Sequence, residues 1–299
     1  MDLTLQYPIS TLDGLILLPA DTKLTAATMD RLMEDGRARA FPTKLIMNHG
    51  TVRQDIHRFL TLPPYNIVFA DPEQTGYVLT LFEKVTLPVP LLKIIDYFKE
   101  HDFHTYRHSL MVYALATLLA KVLGAADEEV AKESIAGPTH DFGKINVPLA
   151  ILMKETPLTP AENRLLKHHV LAGYVLLCYY LHEKDSATIR LALNHHERKD
   201  GSGYPQGMKQ QSRLVEIITV ADIYDALISR RPYRQIAYSN RTALEELCGM
   251  AERGEIGWKV LRTLIALNRA SKPNPEELIV SAEKRGAPPA GNMFGLLTD

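Results

Sequence analysis

The segment Thr139-His140-Asp141-Phe142-Gly143-Lys144 sets an imidazole beside a carboxylate, with an ammonium three residues after the carboxylate. Neighbouring side chains cannot share a helical face at a period of about 3.6 residues, so His140 and Asp141 meet at one centre only near a helix end or a backbone irregularity. Pro138 and Gly143 bracket the pair suitably. A neutral imidazole binds transition metals, a carboxylate can bridge two of them, and a lysine offers phosphate a point charge. An isolated His-Asp pair would more readily be a helix-terminal hydrogen bond. This pair has company: nine of the eleven histidines fall between His101 and His196, including the adjacent pairs His168-His169 and His195-His196.

Further along, His195-His196-Glu197 runs into Arg198-Lys199-Asp200-Gly201-Ser202-Gly203-Tyr204-Pro205, a helix stop and then a loop whose glycines give the backbone freedom beside a ligand. Ala221-Asp222-Ile223-Tyr224-Asp225 puts two carboxylates among apolar residues, and Arg231-Pro232-Tyr233-Arg234 brings two guanidiniums. The set reads as metal ligands followed by an anion clamp. Asp225, one helical turn from Asp222, is expected to support a ligand or cap the helix end. His104 and His108 are four apart and share a helical face.

In order and spacing, His108, His140-Asp141 with Gly143-Lys144, His169, His195-His196-Glu197, Asp200 through Pro205, Asp222 and Arg231 through Arg234 resemble the HD-GYP family of metal-dependent phosphodiesterases. The resemblance runs from about His104 to about Leu247. It implies an all-helical domain that hydrolyses cyclic di-GMP with two divalent transition-metal ions, iron or manganese favoured. His108, His140, Asp141 and Asp222 would hold one ion, and Asp141, His169, His195 and His196 the other, Asp141 bridging. Asp141 and Lys144 take the catalytic roles, while Lys144, Gly203, Tyr204, Arg231 and Arg234 meet the substrate. The Glu that recruits a third ion in some members is His104 here, which brings no negative charge, so a third ion is not expected. Phe142, Met111, Thr139 and Val170 also depart from the common family residues. Two other functions compete: an HD-type phosphohydrolase acting on another nucleotide, and a sensor or adaptor that binds the dinucleotide with little turnover. The intact Gly201-Ser202-Gly203-Tyr204-Pro205 stretch argues against the first, and the full ligand set against the second.

A chain of 299 residues suggests two domains, a multidomain α+β protein. Residues 1–86 read as a small α+β domain, regulatory or homodimerising by position. Leu15–Leu18, Asn66–Phe69 and Tyr77–Phe82 look like strands, and Ala26–Asp35 like a helix ending at Gly36. Leu87-Pro88-Val89-Pro90 marks the boundary, and residues 87–299 read as an all-α helical bundle. Its helices are expected over 91–101, 104–123, a short one from Asp127, a long one from the Thr159-Pro160-Ala161-Glu162 capping box through His169 to about Leu181, one capped by Ser186, and 214–229. Helices near 240–253, 257–270 and 274–283 complete the bundle, and the tail from Ala287 looks loosely ordered. With 34 basic and 35 acidic residues there is no polycationic surface for DNA or RNA, so an anionic substrate must meet local charges. Cys178 and Cys248 sit in apolar patterns as thiols of a reducing cytoplasm. The first residues show no signal peptide, and the run Leu110–Ala120 is too short for a membrane span.

Overall fold

A computed structural model of the chain describes residues 3–127, 130, 136–209, 212–281, 283–293 and 295–298. It is mainly helical, with two antiparallel two-stranded sheets, both built from residues before Val89. Ile9–Ser10 pairs with Ile16–Leu18, and Thr43–Leu45 with Thr86–Pro88 in the register Thr43↔Pro88. Two segments expected as strands are helices instead. Tyr65–Val68 forms one turn, and Pro72–Phe82 is started by Asp71, whose carboxylate accepts from Glu73 N and Gln74 N, with Pro72 in the first turn. The β-rich composition hid a helical burial pattern at Val78, Leu81 and Phe82, and the Phe82 ring stacks on Tyr113 at 4.0 Å. The Ala26–Arg37 helix ends one residue beyond Gly36, where a side chain would strike the backbone of Tyr179, so the glycine also marks a close helix crossing.

After Pro88 the helices follow as Val89–His101, Phe103–Val122, the turn Ala136–Thr139, Pro160–Lys167, His169–Leu181, Ala187–Asn194, Arg213–Ile228, Asn240–Glu252 and Trp258–Leu267. The expected helix from Asp127 lies largely outside the described residues. The capping box is present, with Thr159 and Glu162 each accepting from the other's backbone N–H, but the expected long helix breaks at His168. The helix expected over 274–283 is absent among the described residues: Pro273 and Pro275 flank a turn in which Asn274 Oδ1 accepts from Glu276 N. The tail is tied back by Met293 N to Tyr233 O and Thr298 N to Leu158 O, both at 3.0 Å. One apolar cluster runs from Leu5 to Leu278, so packing is continuous across residues 87–90. Among the described residues no helix is long and apolar enough to cross a membrane.

Candidate metal centre

Each donor is delivered by a helix whose local sequence fixes it. His108 lies in the Phe103–Val122 helix, started by Asp102, which accepts from Thr105 N at 3.1 Å and Thr105 Oγ1 at 2.6 Å. His140 and Asp141 fall where the Ala136–Thr139 turn passes into a 3₁₀ segment, Phe142–Asn146, the backbone irregularity an adjacent pair requires. Two glycines allow this geometry. Gly137 abuts the backbone of Tyr113, and Gly143 lies against the backbone of His169 and Gly173, with no room for a Cβ at either position. His169 opens the His169–Leu181 helix, His195 and His196 follow Ala187–Asn194, and Asp222 lies in Arg213–Ile228.

Asp141 stands at the middle. Its carboxylate is 3.5 Å from Nε2 of His140 and of His169 and 3.8 Å from Nε2 of His108 and of His195. Three groups of donors, His108/His140/Asp222, His140/Asp141/His195 and His169/His195/His196, each bring their ligand atoms within 4.8 Å of one another. The structure therefore brings together all seven residues expected to bind metal, with the Asp141 group between the other two. Three imidazoles are tethered on their own segments: Nδ1 of His140 donates to Gly137 O at 2.7 Å, that of His169 to Leu166 O at 2.6 Å, and that of His195 to Ala192 O at 3.1 Å. Such tethers leave Nε2 unprotonated and aimed inward. His140 Nε2 is buried without a hydrogen-bond partner among the described residues, as suits a metal-ligand atom.

The electrostatics agree with ligation. Burial pushes the His140 imidazole down to about 4 and that of His169 to about 3, and takes His196 well below its usual value, so these rings are neutral. Burial alone would raise the Asp141 carboxyl, but Lys144 and the surrounding imidazoles outweigh it and hold it well below the usual carboxylate range. Asp222 is likewise lowered, its hydrogen bond with His108 overcoming desolvation. His108 alone among the four is raised: burial and Arg231 oppose its charge, but hydrogen bonds with Asp222 and Asp225 prevail. Neutral imidazoles around ionised carboxylates are the donor chemistry of a first-row transition metal.

The other expected site residues fall out differently. Lys144 Nζ donates to Asp141 Oδ2 at 2.5 Å. Tyr204 stacks on His196 at 4.7 Å and 12°, with Lys167 Nζ 5.0 Å from its ring centre. Gly203 packs against the backbone of His196, Glu197 and Arg198, where a Cβ would collide. Arg231 is buried, its Nε without a partner among the described residues and its Nη2 3.8 Å from Asp225. Arg234, expected to clamp phosphate, uses Nη2 to cap the Arg213–Ile228 helix, donating to the carbonyls of Ala226, Leu227 and Ser229, while its Nε is without a partner among the described residues. A guanidinium at a helix carboxyl end meets unpaired carbonyls and the negative end of the dipole, and that local demand takes it. His168 turns away to Tyr7, and half-buried His104 belongs to none of the three donor groups. Three residues given no site role from sequence prove structural to the site. Glu197, fully buried, accepts from Gln206 N at 2.6 Å and Met208 N at 2.9 Å, while Tyr65 and Arg107 both grip Asp225. A carboxylate directly after the His pair and before a glycine loop was the available signal for Glu197.

The HD domain family model matches residues 93–260, more than half of the chain. The chain therefore belongs to the HD-domain family, and the ordered motifs from His108 to Arg231 are those of its HD-GYP members. It is 38% identical over 147 residues to a cyclic di-GMP phosphodiesterase of Thermotoga maritima, covering 48% of this chain and 40% of that protein. It is 36% identical over 181 residues to one of Pseudomonas aeruginosa, covering 60% and 42%. A 3′3′-cGAMP-specific phosphodiesterase of Vibrio cholerae is 38% identical over 133 residues, covering 44% and 28%. The matches span less than half the length of each of these relatives.

Proposed function

We propose that this chain hydrolyses a phosphodiester bond of a cyclic dinucleotide, cyclic di-GMP foremost, at a centre of two divalent transition-metal ions. The observation that carries the reading is the convergence of six donors on Asp141, all buried but the half-buried His196, with His140 Nε2 facing no partner among the described residues. The relatives named for cyclic di-GMP and cGAMP hydrolysis supply the substrate class. When bound, the ions supply Lewis acidity, polarising a phosphoryl oxygen and making water acidic enough to ionise near neutral pH. The imidazole and carboxylate mixture suits iron, manganese, nickel or zinc, and the HD-GYP resemblance favours iron or manganese.

The rest belongs to the protein. The Nδ1 tethers hold the imidazoles preorganised, so no reorientation is needed when charge develops on phosphorus. Asp141 belongs to the middle donor group, which shares His140 with one neighbouring group and His195 with the other, so its carboxylate links the two ends of the site. Lys144, at the rim of the site, lies within reach of a phosphoryl oxygen, and the unpartnered Nε of Arg231 adds a second donor. Tyr204 forms one wall through its stack on His196. Arg234 holds the end of the Arg213–Ile228 helix through Nη2, and its Nε, without a partner among the described residues, offers a further donor. Residues 1–86 serve as a small α+β unit docked on the helical part, and the enzyme works in the cytoplasm.

The test is turnover of cyclic di-GMP by full-length protein purified with its metals retained, with products separated by chromatography and identified by mass. Linear dinucleotide or GMP should accumulate, and Asp141→Ala should abolish it. Metal-loaded protein that leaves both cyclic di-GMP and 3′3′-cGAMP intact would refute the assignment.

A further inference from the structure

His108 differs from the other tethered imidazoles. His140, His169 and His195 are held by carbonyls three residues back on their own segments, so their orientation is local. His108 is held by a side chain: its Nδ1 donates to Asp225 Oδ2 at 2.6 Å, while Nε2 faces Asp222 Oδ1 at 2.9 Å. A carboxylate can pivot, and its angle depends on what occupies its other oxygen. The Tyr65 hydroxyl donates to Asp225 Oδ1 at 2.7 Å, and Arg107 Nη1 reaches the same oxygen at 3.1 Å. Arg107 is fixed in turn by Ser229 Oγ at 2.7 Å and lies 5.9 Å from the Phe59 ring centre and 5.8 Å from that of Tyr65.

Phe59 and Tyr65 belong to the stretch before Pro88, whose described residues enter none of the three donor groups. Tyr65 is fully buried, edge-on to Tyr224, and Lys272 Nζ donates to the carbonyls of Ile67 and Val68 just beyond it. A buried hydroxyl has no water to turn to, so its one proton commits to Asp225. Both lone-pair directions of Oδ1 are then used, and Oδ2 takes His108 as its shortest contact, with Ser229 Oγ donating more weakly at 3.4 Å and Arg231 Nη2 3.8 Å away.

We propose that Tyr65 is a positioning residue for the metal centre: acting through Asp225, it sets the ring angle and tautomer of His108, so that the His108/His140/Asp222 donor group is complete only with this amino-terminal segment docked. The proposal rests on the metal-centre reading above. Partners of this kind, one step behind the ligands, typically change metal affinity by roughly 10–100-fold when removed.

The experiment is titration of the metal-free full chain with Co²⁺ against a competing chelator, following ligand-field absorption and counting bound ions. Tyr65→Phe, which keeps the ring, should still bind two ions, one of them about tenfold more weakly and with altered bands, the other unchanged. Asp225→Asn should weaken the same ion at least as much, and adding Tyr65→Phe to it should cost nothing further, because the hydroxyl acts through that carboxylate. Wild-type affinity for both ions in Tyr65→Phe, equal weakening of both ions, or additive losses in the double variant would each overturn the proposal. If Tyr65→Phe fails to fold, Asp225→Asn still decides: unchanged binding of the affected ion would overturn it. An unsubstituted chain that binds no Co²⁺ would instead overturn the metal-centre reading itself.

Discussion

Replacing Glu197 by Gln removes one carboxylate oxygen from a pair of backbone N–H groups with no other described acceptor. In the structure Oε1 accepts from Gln206 N at 2.6 Å and Oε2 from Met208 N at 2.9 Å, inside a fully buried environment. An amide of the same shape keeps one acceptor but turns an NH₂ toward the second N–H, so one hydrogen bond is lost and two donors face each other. A hydrogen bond to a charged group is worth roughly 1.5–3 kcal/mol, and a stranded buried donor costs a similar amount, so a loss of about 2 kcal/mol after partial relaxation is expected. For a chain of this size that lowers the unfolding temperature by about 3 °C. The loop should also loosen where it matters, since Tyr204 N is bonded to His196 O at 3.2 Å and its ring covers His196. Calorimetry on the metal-free protein gives the first quantity, and amide hydrogen exchange at Gln206 and Met208 gives the second. An unchanged unfolding temperature together with unchanged exchange at both amides would refute the role given to Glu197.

Asp141→Ala should strip both ions, because its carboxylate lies within 3.5–3.8 Å of four imidazole nitrogens; elemental analysis decides, and full metal content would sink the bridging role. Tyr204→Phe should keep near-normal metal affinity while Tyr204→Ala weakens the ion held through His196, since stacking and not the hydroxyl holds that ring; equal behaviour of the two variants in a Co²⁺ titration would contradict this. Lys144→Ala should lower cyclic di-GMP turnover by about 2.7–4 kcal/mol in barrier, or roughly 10²–10³-fold, with both ions retained, and steady-state kinetics that match the parent would return Lys144 to a purely structural pairing with Asp141. In metal-free protein, His140 and His169 titrate at about 4 and about 3 when folded and near 6.5 when unfolded. The unfolded chain therefore binds more protons in between, and the unfolding temperature should fall as pH drops from about 6.5 toward 4; a flat profile there would contradict the depressed values.

The donor set was legible because its signals are local: residue types that bind metal, at spacings that helix ends and glycines can serve. The break at His140-Asp141 followed from the adjacency of the pair, whereas His169 over His168 followed from the spacing of the HD-GYP family that the chain resembles. The Thr159 capping box was legible for the same reason, since its partners lie three residues apart. Contacts between distant segments were not. Tyr65 and Asp225 are 160 residues apart, and nothing in either neighbourhood announces the other. The strand reading of Asn66–Phe69 and Tyr77–Phe82 failed because β-branched and aromatic composition was weighed above the Asp71-Pro72 start, and tertiary packing sided with the cap. Arg234 shows a different limit. Sequence identifies a guanidinium but not which acceptors share it, and here the carbonyls of the preceding helix take its Nη2.

Gly143 lies directly on the backbone of His169 and Gly173, with no side chain between them. Two stretches of main chain in contact have no rotamers to adjust, so the turn bearing Asp141 and the helix bearing His169 travel as one rigid block. The gap between them resists tuning by substitutions in the surrounding core, which repack side chains but leave a glycine-to-backbone contact where it was. Any widening of the site, for a bulkier substrate or to let a product out, then has to come from its other sides, such as the one where Tyr204 of the glycine loop stacks on His196.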